Sequence, residues 1–429
     1  MTDKIKVTVA GLGYVGFPLV CAIAKNKNYD VFSYDIDNSK VEKVNNHISP
    51  VEDEQAQKDI KEISVYATSD PEVFRNSSFI VICVPTPVTE DKKPDLTPVI
   101  QITNTVSKYL EKGQIVILES TVNPGVSEEI ILPLLEKTGL KGGIDFDLVH
   151  CPERIDPGNK NYNVYNIPRN IGGTSREGTK KAADFYRSFI NAPVNEVSNL
   201  KIAESTKIVE NIFRDVNIAF VNELAQSFDK LGIDVLEVIK GASNKPFGFM
   251  PHFPGCGVGG HCIAVDPYYL IDYAGKNGFD HHLLKIARDI NNSMPEYTVN
   301  KLIKTLKELN KDIKDVKIGI LGLSYKGNIG DFRESPAIEI EKILKEKGAE
   351  IYVAEPHCKD SKECKQYVLH TTEEVLEKSD AIILAANHDE FLKIKDWKNV
   401  KIIIDGRNCL DKSPIITQKI IYKGIGRGN

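Results

Sequence analysis

The chain is predicted to be an α/β protein: two Rossmann-like doubly wound domains joined by a central helical region. Three observations predict this. The strand-like run Ile5–Ala10 passes directly into Gly11-Leu12-Gly13-Tyr14-Val15-Gly16, and the next strand ends at Asp35. Apolar runs at 79–84, 114–119 and 146–150 read as strands buried on both faces of a parallel sheet. A second strand–turn unit begins at Val316-Lys317-Ile318-Gly319-Ile320-Leu321-Gly322-Leu323, after a long stretch of helical periodicity. A chain of 429 residues also exceeds one ordinary core and suggests two or three domains.

The first glycine turn has the full context of a dinucleotide fingerprint: strand, turn, helix over 18–24, strand over 30–34, acid. Gly11 permits the tight turn, Gly13 the approach of a pyrophosphate, and Gly16 close packing of helix on strand. Tyr14 and Val15 complete the turn, and the helix start offers unpaired N–H groups to phosphate. Asp35 suits ribose hydroxyls and would repel a 2′-phosphate, so NAD is expected over NADP.

Further strands end in polar residues. Residues 79–84 deliver Pro85-Thr86-Pro87, residues 114–119 deliver Ser120-Thr121, and residues 146–150 deliver Cys151-Pro152-Glu153-Arg154. Ligands of such folds gather at these strand ends, and Thr121 and Glu153 stand out there. Ordinary turn chemistry is the competing reading.

Residues 197–230 read as a long helix, followed by helices over 234–242 and about 280–309, with Pro295 at a turn start or kink. Lys207 and Asn211 share a face four residues apart, among apolar neighbours. They are either packed polar groups or a pair of oxyanion donors. Long apolar-faced helices suit a dimer platform. The second α/β domain has a helix over 337–346 and strands over 350–353, 381–385 and 400–404. Lys326 lies in its first turn, Arg333 close behind, and Gly406-Arg407 ends a strand; such cations suit a phosphate-bearing ligand or simply face solvent. A short polar tail follows Lys423.

Composition narrows the class. Hydrophobic residues are 41% and charged residues 27%, a soluble globular balance. With 60 acidic against 55 basic residues and no basic block, nothing marks a nucleic-acid surface. No secretory signal and no run of 18 apolar residues is present, so no membrane association is expected. Eight scattered cysteines suit a reduced, cytoplasmic protein.

One cysteine is set apart. Gly255-Cys256-Gly257-Val258-Gly259-Gly260-His261-Cys262 is glycine-rich, and Asp266 follows four residues on. Cys262 is a nucleophile, a metal ligand or a buried thiol. Cys256, His261 and Cys262, like His357, Cys358 and Cys364, lack the paired close spacing of structural zinc sites, so no metal is expected.

In order along the chain, the first glycine turn, Pro85-Thr86-Pro87, Ser120-Thr121, Pro152-Glu153-Arg154, Lys207 with Asn211, Gly259-Gly260-His261-Cys262 with Asp266, and Arg333-Glu334-Ser335 resemble the UDP-glucose/GDP-mannose dehydrogenase family. Gly-Gly-His-Cys resembles the branch acting on N-acetylated sugars. Residues 154–159 and 245–251 look most like UDP-N-acetylglucosamine 6-dehydrogenases, whereas 213–220 and 262–267 lean toward the UDP-N-acetylmannosamine enzymes. The resemblance implies an NAD-dependent, four-electron oxidation of the sugar C6 alcohol to a carboxylate in a homodimer, with a first domain over 1–195 for NAD, a central region over 196–310 and a sugar-nucleotide domain over 311–429. It implies Cys262 as the carrier of a thiohemiacetal and a thioester, Lys207 and Asn211 as oxyanion donors, and Asp266, Thr121 and Glu153 for water and proton handling. Arg154, Gly259, His261, Lys326 and Arg407 would meet the UDP-sugar, and Pro85, Thr86, Thr121 and Arg333 the NAD. The sequence departs from other branches in having no arginine over 242–253, where they carry one that crosses the dimer. Two other readings remain beside it: a two-electron hydroxy-acid or sugar-acid dehydrogenase that needs no covalent cysteine, and a non-catalytic NAD sensor.

Overall fold

The structure, a computed structural model, describes residues 4–51, 53–87, 89, 93–155, 161–260, 262–358 and 364–428. Its backbone divides into two compact units: Met1–Glu210 with Tyr268–Asn277, and Asn211–Pro267 with Gly278–Asn429.

The first unit is built on eight strands: β1 (Ile5–Ala10), β2 (Tyr29–Tyr34), β3 (Tyr66–Thr68), β4 (Phe79–Ile82), β5 (Ile115–Leu118), β6 (Asp147–His150), β7 (Arg169–Gly173) and β8 (Val194–Glu196). They lie in the order β3-β2-β1-β4-β5-β6-β7-β8, parallel throughout except between β6 and β7. Alternation along the strands feeds two cores. Val7, Val9, Val81 and Ile117 point into one, and Ala10, Ile80, Ile82, Val116 and Leu118 into the other. Both faces are therefore covered, which is why these strands read as unbroken apolar runs. The strand order reverses direction between β1 and β4, and the glycine turn sits at that switch. The helix Gly16–Ala24 returns across the sheet with Phe17, Leu19, Val20 and Ile23 buried. β3, β7 and β8 lie beyond the strands foreseen from the sequence: β3 and β8 are three residues long with one buried residue each, and Gly172-Gly173 interrupts the apolar pattern of β7.

The second unit repeats the plan with β9 (Lys317–Leu321), β10 (Glu350–Ala354), β11 (Leu369–His370), β12 (Ala381–Leu384), β13 (Ile402–Asp405) and β14 (Ile421–Gly424). All its pairings are parallel, in the order β11-β10-β9-β12-β13-β14. Alternation again splits the apolar residues, Ile318, Ile320 and Ile383 to one core and Leu321, Ile382 and Leu384 to the other. The long helices Leu200–Leu231 and His282–Glu308 supply the helical region, and the second runs unbroken through a buried Pro295.

Two expectations need correction. The chain after Lys423 is not a loose polar tail. Ile425 is fully buried beside Ala225, Val235 and Met294, and the Gly426 and Gly428 N–H groups donate to Asp229 at 3.2 and 3.1 Å. The cysteines are not all reduced either: Cys358 and Cys364 form a disulfide, with Cα atoms 5.7 Å apart. A six-residue separation gives little sequence signal for such a pair, and a Cα separation of 5.7 Å lies in the range a disulfide spans. Among the described residues, no helix is long and apolar enough to cross a membrane.

Among the described glycines, the closest approach to a Cβ position lies at Gly16 in the first glycine turn. A Cβ on Gly16 would overlap the Gly11 carbonyl oxygen and stand 3.0 Å from Cys83 Cβ. Gly16→Ala is therefore expected to destabilise the protein by roughly 1–3 kcal/mol through overpacking and to weaken NAD binding. Urea denaturation with an NAD titration checks this; an unchanged midpoint and affinity would contradict the packing.

Candidate active site

In the first unit, the turn after β1 has the shape a dinucleotide needs. Gly11 adopts φ +104°, and a Cβ there would meet the Cys83 carbonyl oxygen at 2.6 Å. Gly13 differs: nothing lies within 4 Å of its Cβ position, so its outer face is open to a close-approaching ligand. Tyr14 is exposed and Val15 half-buried at the start of the helix Gly16–Ala24. Asp35 closes the turn from the end of β2. Its Oδ2 accepts the Leu12 N–H at 2.7 Å, and its Oδ1 accepts the Asp37 N–H at 2.9 Å. Each oxygen keeps lone-pair capacity for a ribose hydroxyl. Lys40 stands 3.6 Å from Asp35 Oδ2. An open glycine, an oriented helix start and an acid at the second strand end fit NAD.

At the neighbouring strand ends, Pro85 is exposed and Thr86 buried; the Tyr269 hydroxyl donates to the Thr86 carbonyl at 2.5 Å. Thr121 is half-buried after β5. The turn beyond it is held by Glu204, whose carboxylate accepts the Gly125 and Ser127 N–H groups at 2.6 and 2.8 Å. Burial lifts the Glu204 carboxyl to about 7. Glu153, after β6, is buried and accepts the Arg154 and Ile155 N–H groups at 2.5 Å through Oε1 and Arg169 Nη1 at 2.8 Å through Oε2. Burial would raise its pKa, but the Arg169 charge and hydrogen bond, the Ile155 N–H and the Lys207 charge outweigh it and hold it below the usual range. Lys207 is 8% exposed. Arg154 pairs with Glu210 and donates to the Pro168 carbonyl at 2.9 Å, so much of its guanidinium is engaged within the protein.

In the second unit, Cys262 is exposed and stands just before the helix Asp266–Lys276. Its carbonyl accepts the Asp266 N–H at 2.9 Å, so the cysteine and the aspartate are one helical turn apart. Asp266 is buried, and its Oδ2 receives the Asn211 amide at 2.6 Å. Asn211 lies one turn beyond Lys207 on the helix Leu200–Leu231. Asn211 and Asp266, distant in sequence, thus form a bonded pair, with Cys262 one helical turn before the aspartate. Cys256, by contrast, is fully buried, with its N–H on the Gly406 carbonyl at 2.8 Å.

The glycine-rich loop is tied at both ends. The Gly255 N–H donates to Asn222 Oδ1 at 3.0 Å; Asn222 Nδ2 donates to Asn291 Oδ1 at 2.9 Å; Asn291 Nδ2 donates to Asp215 Oδ1 at 2.8 Å; and Arg288 Nη1 reaches the same oxygen at 2.5 Å. The Gly260 N–H donates to the Arg333 carbonyl at 2.9 Å. A Cβ on Gly259 would meet the Glu334 carbonyl oxygen at 2.6 Å, and one on Gly260 the Tyr325 ring at 2.7 Å, so the close approach requires both glycines. His261 lies outside the described residues.

The remaining cations are spread over this unit. Arg333 is exposed, bonded to Asp331 through Nε at 2.9 Å and within electrostatic reach of Cys262. Arg407 Nε donates to the Ala385 carbonyl at 2.7 Å, and Nη2 to the Tyr325 carbonyl at 3.0 Å. Lys326 is half-buried in a turn fastened where the Asn328 N–H donates to His388 Nδ1 at 2.8 Å. Among the described residues, no three His, Cys, Asp or Glu side chains gather as a metal cluster.

Sequence reading passed over Glu119, Arg169, Tyr186, Glu204, Tyr269, Asn222, Asn291, Asp215 and Arg288. Glu119 carried the one usable signal, a charge directly after an apolar strand; the others pair across 16 to 183 residues, which spacing does not reveal. Asn222→Ala leaves the Gly255 N–H and Asn291 Oδ1 without the Asn222 amide, an expected loss of about 1–3 kcal/mol. It should also alter the rate at which iodoacetamide alkylates Cys262. Equal unfolding midpoints and labelling rates would show that the chain does not hold the loop.

Comparison with known proteins matches three family models in succession. Residues 5–190 match the NAD binding domain of the UDP-glucose/GDP-mannose dehydrogenase family, residues 201–293 its central domain and residues 319–412 its UDP binding domain. A UDP-N-acetyl-D-mannosamine dehydrogenase of Pyrococcus horikoshii is 35% identical, covering 99% of this chain and 100% of its own. A UDP-N-acetyl-D-glucosamine 6-dehydrogenase of Pseudomonas aeruginosa is 36% identical over 90% of this chain and 91% of its own. A solved UDP-D-ManNAc dehydrogenase from Pyrococcus horikoshii superposes with a TM-score of 0.91 at 35% identity, covering 99% of this chain and all of that one. The three models follow one another along almost the whole chain, the first of them on the glycine turn and acid built to take NAD, and the protein belongs to the UDP-glucose/GDP-mannose dehydrogenase family.

Proposed function

We propose that this protein is an NAD-dependent UDP-N-acetylhexosamine 6-dehydrogenase, which oxidises the C6 alcohol to a carboxylate in two two-electron steps. The observation that carries the reading is an exposed Cys262 on a fastened glycine loop, one helical turn before an Asp266 bonded to Asn211. UDP-N-acetylglucosamine is the substrate we favour, on the motifs around residues 154–159 and 245–251. UDP-N-acetylmannosamine is the second reading, favoured by full-length similarity to the Pyrococcus relative.

NAD, which the glycine turn Gly11–Gly16 and Asp35 would hold, would supply the hydride acceptor for both oxidations at C6. The chain's residues do the rest. In the first step, the hydroxyl proton passes to water as C6 becomes an aldehyde, and the developing charge on oxygen falls to the Lys207 ammonium and the Asn211 amide. The Cys262 thiolate adds to the aldehyde carbon, and the oxygen takes up a proton from water, giving a thiohemiacetal. Return of that proton to water and departure of the second hydride to the cofactor leave a thioester. Water then attacks, Glu153 takes its proton, and the carbon–sulfur bond breaks to return the Cys262 thiolate and free the acid. Thr121 and Asp266 position water. Pro85, Thr86 and Arg333 meet the cofactor. Arg154, Gly259, His261, Lys326 and Arg407 meet the sugar nucleotide; for Arg154 and Arg407 only the donors not bound within the protein serve.

The same reading divides the chain at 1–195, 196–310 and 311–429 and places the enzyme in the cytoplasm as a homodimer. An apolar surface supports the dimer: Phe213 and Phe220 on the long helix are half exposed, and Phe247, Met250 and Phe253 are more than 60% exposed. Phe213 also meets the His252 ring edge-on at 5.9 Å. Buried, such side chains contribute about 1.5–3 kcal/mol each.

Two measurements test this. A panel of UDP-N-acetylglucosamine, UDP-N-acetylmannosamine, UDP-N-acetylgalactosamine and UDP-glucose should yield two NADH per carboxylate, with an N-acetylated sugar preferred. Cys262→Ser should lower carboxylate formation roughly 10³-fold or more. One NADH per product with an active serine variant points instead to a two-electron dehydrogenase. Separately, Phe213→Glu with Phe220→Glu should convert a dimer to a monomer in sedimentation equilibrium; a wild-type monomer removes the dimer from the proposal.

A further inference from the structure

Glu119 follows β5, Glu153 follows β6, and Arg169 opens β7. Their carboxylates meet one guanidinium nitrogen. Arg169 Nη1 hydrogen-bonds Glu153 Oε2 at 2.8 Å and stands 3.7 Å from Glu119 Oε2, too far for a bond. Glu119, Arg169 and Tyr186 are 0% exposed and Glu153 only 6%. The Tyr186 hydroxyl donates to Glu119 Oε1, and its ring lies 5.8 Å from the Arg169 guanidinium carbon. Glu119 Oε2 has no hydrogen-bond partner among the described residues. A buried, charged oxygen without a donor is expensive, and two carboxylates on one cation cannot both stay ionised cheaply.

We infer that Glu119 and Glu153 form a one-proton carboxyl pair in which Glu119 carries the proton, so that the Arg169 charge serves Glu153 alone. Glu119 and Arg169 are then positioning residues, acting through the base they hold ionised and oriented. This rests on the reading of Glu153 as the base for thioester hydrolysis. The direction of both titrations agrees. Burial pushes Glu119 up to about 8, with the Glu153 charge adding to it, while Arg169 keeps Glu153 low. The other groups around the pair are Lys207, Arg154, Tyr186, Cys83 and Cys151, and the thiols are pushed up by burial. His150, beside Cys151, is held neutral above about 3 by burial.

The sign of the pH effect follows. Glu119 binds its proton more tightly folded than unfolded, where its ordinary value is 4.5. The stability it confers is full below 4.5 and is lost as pH rises toward about 8. Glu119→Gln mimics the neutral acid and loses nothing over that window. The ratio of its folding equilibrium constant to that of the wild type should therefore climb with pH, by up to about tenfold per unit, and level off above the window. Infrared spectra of the unliganded protein near neutral pH should show a protonated-carboxyl stretch that Glu119→Gln removes and that Glu153→Gln weakens, because Arg169 is then left to Glu119. In single-turnover assays, Arg169→Met should move the acid limb of hydrolysis to higher pH, and Arg169→Lys should restore it in part. A flat stability ratio, or no such band in the wild type, overturns the pair while leaving Glu153 as base. Wild-type hydrolysis in Glu153→Gln removes the base reading while the pair's titration stands.

Discussion

The buried chain Arg288–Asp215–Asn291–Asn222–Gly255 is the constraint on which the rest of the candidate site depends. Glycines let the loop from Gly255 to Gly260 come within contact distance of Tyr325 and Glu334, and the same glycines would leave it free to wander. The bonds from Asn222 at one end and to the Arg333 carbonyl at the other remove that freedom. Every link is buried, so each bond is strengthened by low dielectric and costly to leave unmade. The Arg288–Asp215 ion pair anchors the chain, and its worth lies in specifying one loop position more than in raw stability, because desolvation offsets much of the attraction. For the thioester role proposed for Cys262, a glycine-rich loop bonded at Gly255 and Gly260 gives close approach without leaving those positions free.

The two α/β units share a second device. Gly11 and Gly322 open equivalent turns with φ of +104° and +89°. In each, the acid after the second strand turns back to hold the turn: Asp35 takes the Leu12 N–H, and Glu355 takes the Leu323 and Ser324 N–H groups at 2.8 and 3.0 Å. Glu355 also bonds His388 Nε2 at 3.1 Å, and that ring's other nitrogen accepts from Asn328, fastening the turn that carries Lys326. The longer acid reaches one residue further and recruits a histidine. An acid at this position is therefore part of the turn's own architecture before it is part of any ligand site.

Charge is managed differently in the two halves of the proposed chemistry. Around Glu153, carboxylates outnumber the buried guanidinium, and the balance is met by a proton. Around Asp266, the Asn211 amide supplies a neutral donor. An amide donor and a guanidinium donor thus serve the two acids.

What the sequence determined by itself was whatever rests on local pattern. Strand periodicity, the glycine turn, the acid at 35 and the four-residue spacings at Lys207/Asn211 and Cys262/Asp266 are all short-range, and the backbone geometry of a turn or a helix follows from them directly. For the strands read from the sequence, boundaries moved by a few residues only, because those strands are covered on both faces and read as apolar runs. The tertiary structure decided what depends on distant partners. It drew Asn211 to Asp266, Glu119 and Glu153 to Arg169, and Asn222 to Gly255, and it seated Ile425 in a core that the polar residues around it concealed. A buried polar group takes whichever partner the packed fold brings within reach, and no spacing in the chain records that choice.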